Sequence, residues 1–360
     1  MLIAGFRSPN SERCFSIFIP FKKAPWLSFK PPELLYRMKF LSILIFFVWT
    51  IFTPDAIFHH SKVNTKSPVI GKAWNLPLQG KSFIAMRWIP AGKFVMGSSK
   101  NEQGRKADEG PQITVTLTKG YWLGKTEVTI GQWKAVTGMN VRDKANKLLS
   151  DTTLYDFMGK KMTISSFMNF EKNNPDKILA NEDEQLPMYF VSWNEAMDFC
   201  RQLTQQELAA GRLPKGYEYS LPTEAQWEYA CRAGSTGPVY DQLTTDQVAW
   251  YGANSYIGYE GRGFGNPLNG SRNVGGKLPN KWGMQDMLGN LWEWCYDWYG
   301  PYPGGELTDP TGPKTGTYRV NRGGSFGSGA NDERSANRAQ NPPNEDSAYR
   351  GFRIALCAKK

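Results

Sequence analysis

Asp286-Met287-Leu288-Gly289-Asn290-Leu291-Trp292-Glu293-Trp294-Cys295-Tyr296-Asp297-Trp298 is the stretch on which the fold turns. It is crowded with tryptophan, and it lies in a region running from Val248 onward where long helical periods vanish and Gly, Asn, Pro and Trp dominate. Such a chain is mostly loops and brief strands pinned by aromatic side chains. Ordering a loop costs roughly 1–2 kcal/mol of backbone entropy per residue. Buried Trp, bound metal or disulfides must therefore hold this half together.

Upstream the signals are more regular. Two short apolar runs, residues 84–90 and 93–97, are split by Pro90-Ala91-Gly92, and residues 112–117 alternate with period two, so all three predict strands. Thr129 with Gln132 three residues on, and Ser192 with Glu195, have the spacing of capping boxes and predict helices over 129–137 and 192–210. A third helix is expected from Thr223, with Glu224, Trp227 and Cys231 on one face. The fold is expected to begin near Phe83, after a tether at 57–82, and the Lys-, Asn- and Asp-rich residues 140–185 read as a surface insertion. The class is α+β.

The 360 residues carry 43 Lys+Arg, 33 Asp+Glu, five Cys and two His, His59 and His60. No His follows position 60, which excludes a His-dependent catalytic triad, a His-containing zinc site and a two-His-one-carboxylate iron site from the later part of the chain. Residues 1–56 hold seven basic and three acidic side chains, so +4 of the net +10 lies there and the remaining +6 is spread without a basic run. Nucleic acid is not the expected partner. Residues 38–56 start with Met38-Lys39, continue through an apolar run and end at Pro54-Asp55-Ala56, in the order of a secretory signal. Translation is expected to start at Met38, leaving 1–37 upstream of the true start, and the alternative reading of 38–56 is an uncleaved membrane anchor. The mature chain is then exported: periplasmic, extracellular or membrane-anchored.

Seven motifs occur in order: residues 94–97 (FVMG), 125–129 (KTEVT), 187–193 (PMYFVSW), 221–230 (LPTEAQWEYA), 289–294 (GNLWEW), 322–325 (RGGS) and 351–353 (GFR). Together they resemble the sulfatase-modifying factor family of formylglycine-generating enzymes over about residues 83–357. The resemblance implies a C-type-lectin-related fold, loop-rich with little regular structure. It also implies an oxidase that converts a sulfatase cysteine to formylglycine, using two copper-binding cysteines shortly after the Gly-Gly-Ser motif. By that correspondence the cysteine places fall at Ser328 and Glu333, and no Cys lies between Cys295 and Cys357. Neither a hydroxyl nor a carboxylate replaces a thiolate toward Cu(I), so copper is not expected. Iron-dependent sulfoxide synthases share the domain, but their iron-binding His residues are absent here.

The resemblance further implies a calcium loop at Asp286, Gly289, Leu291 and Glu293, two carboxylates and two main-chain carbonyls that suit a hard cation. The alternative is that Asp286 caps a turn and Glu293 is buried against an Arg such as Arg322. A weaker second calcium site falls at Asn254 and Ser255, with Asn266 and Leu268. Cys200 and Cys231 match disulfide cysteines of the vertebrate enzyme, with Ile354 and Ser335 at the partner places; Cys200–Cys357 is the other pairing open to the chain. Arg334 and Arg338 with Asn337 and Asn341 are the candidate ligand-binding residues, on a surface formed by 327–345. Arg353 reads as structural. Trp282, Trp292, Trp294 and Trp298 read either as a sugar-stacking platform or as structural filler. The expected role is a calcium-stabilised binding or assembly module for a protein, peptide or glycan, with the oxidase as the alternative.

Overall fold

The computed structural model describes residues 68–157, 160–163, 166, 182–255 and 270–359. The tether's first part, the signal segment, everything before it, and Asn266 and Leu268 lie outside the described residues.

The chain enters through β1 (Ala73–Pro77), β2 (Phe83–Ile89), β3 (Gly92–Met96), β4 (Ile113–Leu117) and β5 (Tyr121–Gly124). Helices α1 (Ile130–Thr137) and α2 (Val141–Ser150) follow, then a small hairpin of β6 (Tyr155–Phe157) and β7 (Lys160–Met162), the long helix α3 (Trp193–Ala209), β8 (Tyr217–Ser220) and α4 (Glu224–Arg232). The remainder is short strands among loops: β9 (Ala249–Trp250), β10 (Leu288–Gly289), β11 (Trp292–Trp298), β12 (Glu306–Thr308), β13 (Arg319–Arg322), β14 (Arg338–Asn341), β15 (Arg350–Gly351) and β16 (Ala355–Ala358).

The helix starts follow from local chemistry. Thr129 Oγ1 accepts from Gln132 N while Gln132 Oε1 accepts from Thr129 N, and the same reciprocal pairs form at Ser192/Glu195 and Thr223/Gln226. Gly138, at φ 74°, closes α1 in the left-handed conformation. A five-stranded sheet in the order β1-β2-β5-β16-β8 backs α3, and a four-stranded sheet in the order β14-β13-β11-β15 carries the tryptophan-rich stretch. Trp133, Phe199 and Phe352 form a ring cluster with centroids 5.2–6.1 Å apart in the first core. Trp227 and Met284 anchor a second core with β3 and β4. Each such side chain, fully buried, is worth about 1.5–3 kcal/mol.

Two expectations are corrected. The fold starts before Phe83: β1 pairs antiparallel along β2 from Ala73↔Arg87 to Pro77↔Phe83, and Leu76 is fully buried. The insertion is not wholly superficial either. Val141 and Ala145, one turn apart on α2, join the first core, and between them the buried Lys144 amine reaches Glu195 at 2.6 Å and Asp346 at 3.3 Å. An ion pair with two acids is what lets an amine sit there.

Candidate functional site

Ser325 and Ser328 sit in a tight turn shortly after β13. Ser325 N donates to Ser328 Oγ at 3.0 Å, Ser328 N to Ser325 O at 2.9 Å, and the two hydroxyls are 3.2 Å apart. Outside bonds fix the turn: Phe326 N to Asn290 O, Gly252 N to Ser328 O, and Ser255 Oγ to Phe326 O. The Phe326 ring stacks on Tyr349 at 4.7 Å, and a Cβ at Gly327 would lie 2.5 Å from the Tyr349 ring, so only glycine fits.

This turn forms one wall of an open cleft of about 410 Å³, with Trp292, Tyr349, Arg350, Asn341 and Glu345 on the others. Arg350 lies over the Trp294 ring at 5.3 Å and bonds Glu345 Oε1 at 2.5 Å, leaving its Nε buried without a partner. Asn341 accepts from Asn321 and donates to Glu345. Burial holds the Tyr349 phenol neutral, well above its ordinary value. The cleft therefore offers aromatic faces, hydroxyls, an amide and one ion pair. Among the described residues the two serine side chains bond each other and main-chain N–H groups of the turn.

Of the two places implied for copper-binding cysteines, Ser328 reaches the cleft and Glu333 does not. Glu333 is fully buried behind the turn, its carboxyl so close to Gly324 that a Cβ there would meet it at 2.4 Å. Neither oxygen has a hydrogen-bond partner among the described residues, and burial raises the carboxyl well above its ordinary range. The four described cysteines are all buried and form no disulfide. Burial pushes the Cys231 thiol up to about 12 and Cys295 well above its ordinary value, which suppresses their thiolates. Cys231 Sγ stands 3.5 Å from Ser335 Oγ, and Cys200 shares a core with Ile354, as the family correspondence implies. Cys200 and Cys357 lie in different cores, so the alternative pairing does not form.

The arginines expected at the surface are inside. Arg334 is 3% exposed and its guanidinium grips Glu109 through two bonds of 2.5 and 2.7 Å, with Glu102 at 2.8 Å. Arg338, also 3% exposed, forks onto Glu224 at 2.7 and 2.8 Å and lies over Tyr299 and Tyr302. Asn337 is fully buried and donates to Asp332 O. Of the four, Asn341 alone lines the cleft. A forked guanidinium can be buried only with its counter-charge, and here α4 supplies it: Glu224 holds Arg338, and Glu228, one turn on, holds Arg322 and Arg232.

Arg353, not Arg322, neutralises Glu293. It donates to both Glu293 oxygens at 2.5 and 2.6 Å and to the carbonyls of Gly124, Lys125, Gln285 and Asp286, while Trp227 Nε1 adds a bond to Glu293 at 2.7 Å. Asp286, at φ 53°, accepts from Gly275 N at 2.6 Å through Oδ2, but its Oδ1 is buried without a partner. Burial chiefly pushes the Asp286 carboxyl up to about 6. Glu127, which sequence reasoning treated only as part of a motif, has both oxygens buried and unpartnered, and burial plus the Asp286 and Glu293 charges raise it strongly. Of the two carboxylates implied for a hard cation, Asp286 keeps one uncommitted oxygen, whereas Glu293 is already committed to Arg353 and Trp227. Among the described residues no group of three His, Cys, Asp or Glu side chains converges as a metal cage. At the weaker site Asn254 caps a turn, accepting from Tyr251 N and donating to Ala249 O, and the Ser255 carbonyl accepts from Gly270 N.

The tryptophans divide. Trp294 is fully buried filler, its Nε1 on Val191 O, and Trp282 packs on Tyr229; Trp292 lines the cleft, and Trp298 is half-buried at the far end of β11.

Residues 76–358 match the model of the sulfatase-modifying factor enzyme 1-like domain. The chain is 37% identical over 298 residues to a formylglycine-generating enzyme of Streptomyces coelicolor, covering 74% of this chain and 87% of that enzyme. In fold it is similar to PvdO of Pseudomonas aeruginosa, with a TM-score of 0.56 at 24% identity over 81% of this chain and 99% of that one. It is likewise similar to Treponema denticola variable protein 1, with a TM-score of 0.56 at 24% identity over 81% and 100% of the two chains. Motif order, fold and sequence match converge: the chain belongs to the sulfatase-modifying factor family of formylglycine-generating enzyme-like proteins.

Proposed function

We propose that this member acts as an exported binding or assembly module rather than as an oxidase, with the cleft between the Ser325–Ser328 turn and Tyr349 as its ligand site. One observation carries the reading: the only implied copper position that reaches the cleft is a serine, Ser328, and every described cysteine is buried away from it. Copper(I) needs soft ligands, and the cleft offers hydroxyl, amide and carboxylate oxygens. The chemistry of its walls suits a peptide or glycan, through aromatic faces for apolar groups and hydroxyl and amide groups for polar ones.

Calcium is proposed at Asp286 with the carbonyls of Gly289 and Leu291, where it would supply charge to a buried carboxylate group that Arg353 alone does not balance. Export is proposed from residues 38–56, and N-terminal sequencing of the mature protein tests it. A start just beyond Ala56 supports cleavage, and a start at Met1 overturns it.

The oxidase is the second reading, favoured by the similarity to an enzyme of that name. The purified protein, copper-loaded under air, is incubated with a Cys-containing sulfatase peptide and the peptide mass is followed. No conversion is expected; formation of formylglycine would establish the oxidase instead.

A further inference from the structure

Six buried arginines, 232, 322, 334, 338, 350 and 353, each hold a carboxylate. Arg319 does not. It opens β13 and is half-buried, and its guanidinium is held by two indoles, with Cζ 3.6 Å from the Trp193 ring centroid and 3.4 Å from the Trp298 ring centroid. Its one hydrogen bond runs from Nη1 to Tyr296 O at 2.7 Å, its Nε is buried without a partner, and no carboxylate lies within ion-pair reach among the described residues. Burial pushes its pKa down to about 10, the direction expected of a cation removed from water without a full counter-charge.

The stacking partly offsets that cost, since cation–π attraction strengthens where both partners are desolvated, but two ring faces satisfy no N–H group. They do fix the fork in one plane, so little freedom remains to be lost on binding. The position matters too. Arg319 pairs across the sheet with Asn341, which lines the cleft, and in the other direction with Trp298. Arg319, Asn321, Trp294 and Trp298 therefore share a sheet face with the cleft floor.

We propose that Arg319, clamped by Trp193 and Trp298 and paired across the sheet with the cleft residue Asn341, is an oxyanion-recognition position, and that the ligand presents a carboxylate, sulfate or phosphate group to its Nη2, which bonds no acceptor among the described residues. This deepens the binding reading given above and rests on the same cleft. A guanidinium edge matches the paired oxygens of each of those groups, and a charge-assisted pair of this kind is about twice as strong as a neutral hydrogen bond.

The test follows the Arg319 Nε–H and Asn341 Nδ2 signals by proton–nitrogen correlation spectroscopy, assigned with R319K, while acetate, sulfate or methyl phosphate is added at constant ionic strength against chloride. The expected result is a saturable shift of both signals with a dissociation constant on the order of millimolar in at least one series. The series that saturates at lowest concentration identifies the group as carboxylate or tetrahedral oxyanion. R319Q, compared at unchanged melting temperature, should weaken the Asn341 response at least about tenfold, and R319K should retain part of it. Should R319Q lose the fold, R319K alone decides, since a point charge without the planar fork should bind more weakly. No shift beyond chloride in any series, or an Asn341 response equal in wild type and R319K, overturns the proposal. The two readings fail separately: peptide oxidation with a saturable Arg319 shift rejects the binding-only role and keeps the anion site.

Discussion

At the scale of single residues, the most informative side chains are buried polar ones whose partners are missing. Glu333 has an ordinary carboxyl value of 4.5 and a much higher one in the fold. An acid raised in this way favours the fold fully only while protonated. Below 4.5 both states hold the proton and nothing is lost; as pH climbs above 4.5 the unfolded chain ionises and the folded one resists, so stability falls. E333Q keeps the shape and removes the charge. It should match wild type near pH 4.5 and gain about 1–3 kcal/mol by pH 7, read as a melting-temperature difference that grows with pH. A difference independent of pH would mean that ionisation of Glu333 plays no part. Cys231 and Ser335 supply a second case. Their side-chain atoms are 3.5 Å apart across 104 positions of sequence, and S335C should form a disulfide worth about 2–4 kcal/mol. Thiol counting by mass before and after reduction, with thermal melts of both forms, checks it. These features were hard to read in the sequence because they depend on partners far away: Glu224 and Arg338 are 114 positions apart, and nothing local marks Arg338 as buried.

Elements tell the opposite story where their signals are local. Two capping boxes announced α1 and α3 because each is complete within four residues, α4 followed from the Thr223 start and the shared face of Glu224, Trp227 and Cys231, and β2 to β4 followed from apolar runs and alternation. β1 escaped notice for a physical reason. Its sequence, Ala-Trp-Asn-Leu-Pro, ends in a residue without an N–H, and it becomes a strand only by pairing with β2. α2 was missed because its buried stripe, Val141 and Ala145, is narrow and surrounded by Lys and Asn. A chain beginning at Phe83, as the motifs alone would suggest, therefore lacks an edge strand and the buried Leu76. Loss of Leu76 packing by itself predicts about 2–5 kcal/mol of destabilisation, and the bared edge of β2 invites association. Thermal melts and light scattering of chains starting at Pro68 and at Phe83 make the comparison; equal melting temperatures would show that β1 carries no stability.

For the molecule as a whole, the site is held by a framework of buried charges as much as by apolar cores. Arg353 ties Gly124, Lys125, Gln285, Asp286 and Glu293 into one unit, and Asp286 beside it has an oxygen to spare. Calcium at that oxygen should raise the melting temperature in a concentration-dependent way, by the linkage expected of any ligand that binds only the folded state. Excess EDTA should lower it, and D286N should abolish the response. A melting temperature indifferent to both calcium and EDTA would leave Arg353 as the sole neutralising group. Part of the cleft was legible through the surface expected at 327–345, which holds Gly327, Ser328, Asn341 and Glu345 of its walls, while the proposed anion contact was not, because it falls to Arg319 rather than to the two arginines that the sequence placed at the surface. A last consequence lies in where β16 sits. Ala355–Ala358 is an interior strand, hydrogen-bonded to β5 on one side and β8 on the other, and Ala355 meets Leu123 more than two hundred residues earlier in the chain. The central sheet therefore cannot close until Ala358 has left the ribosome, and until then this part of the nascent chain stays loose enough to be threaded, captured by chaperones or cut.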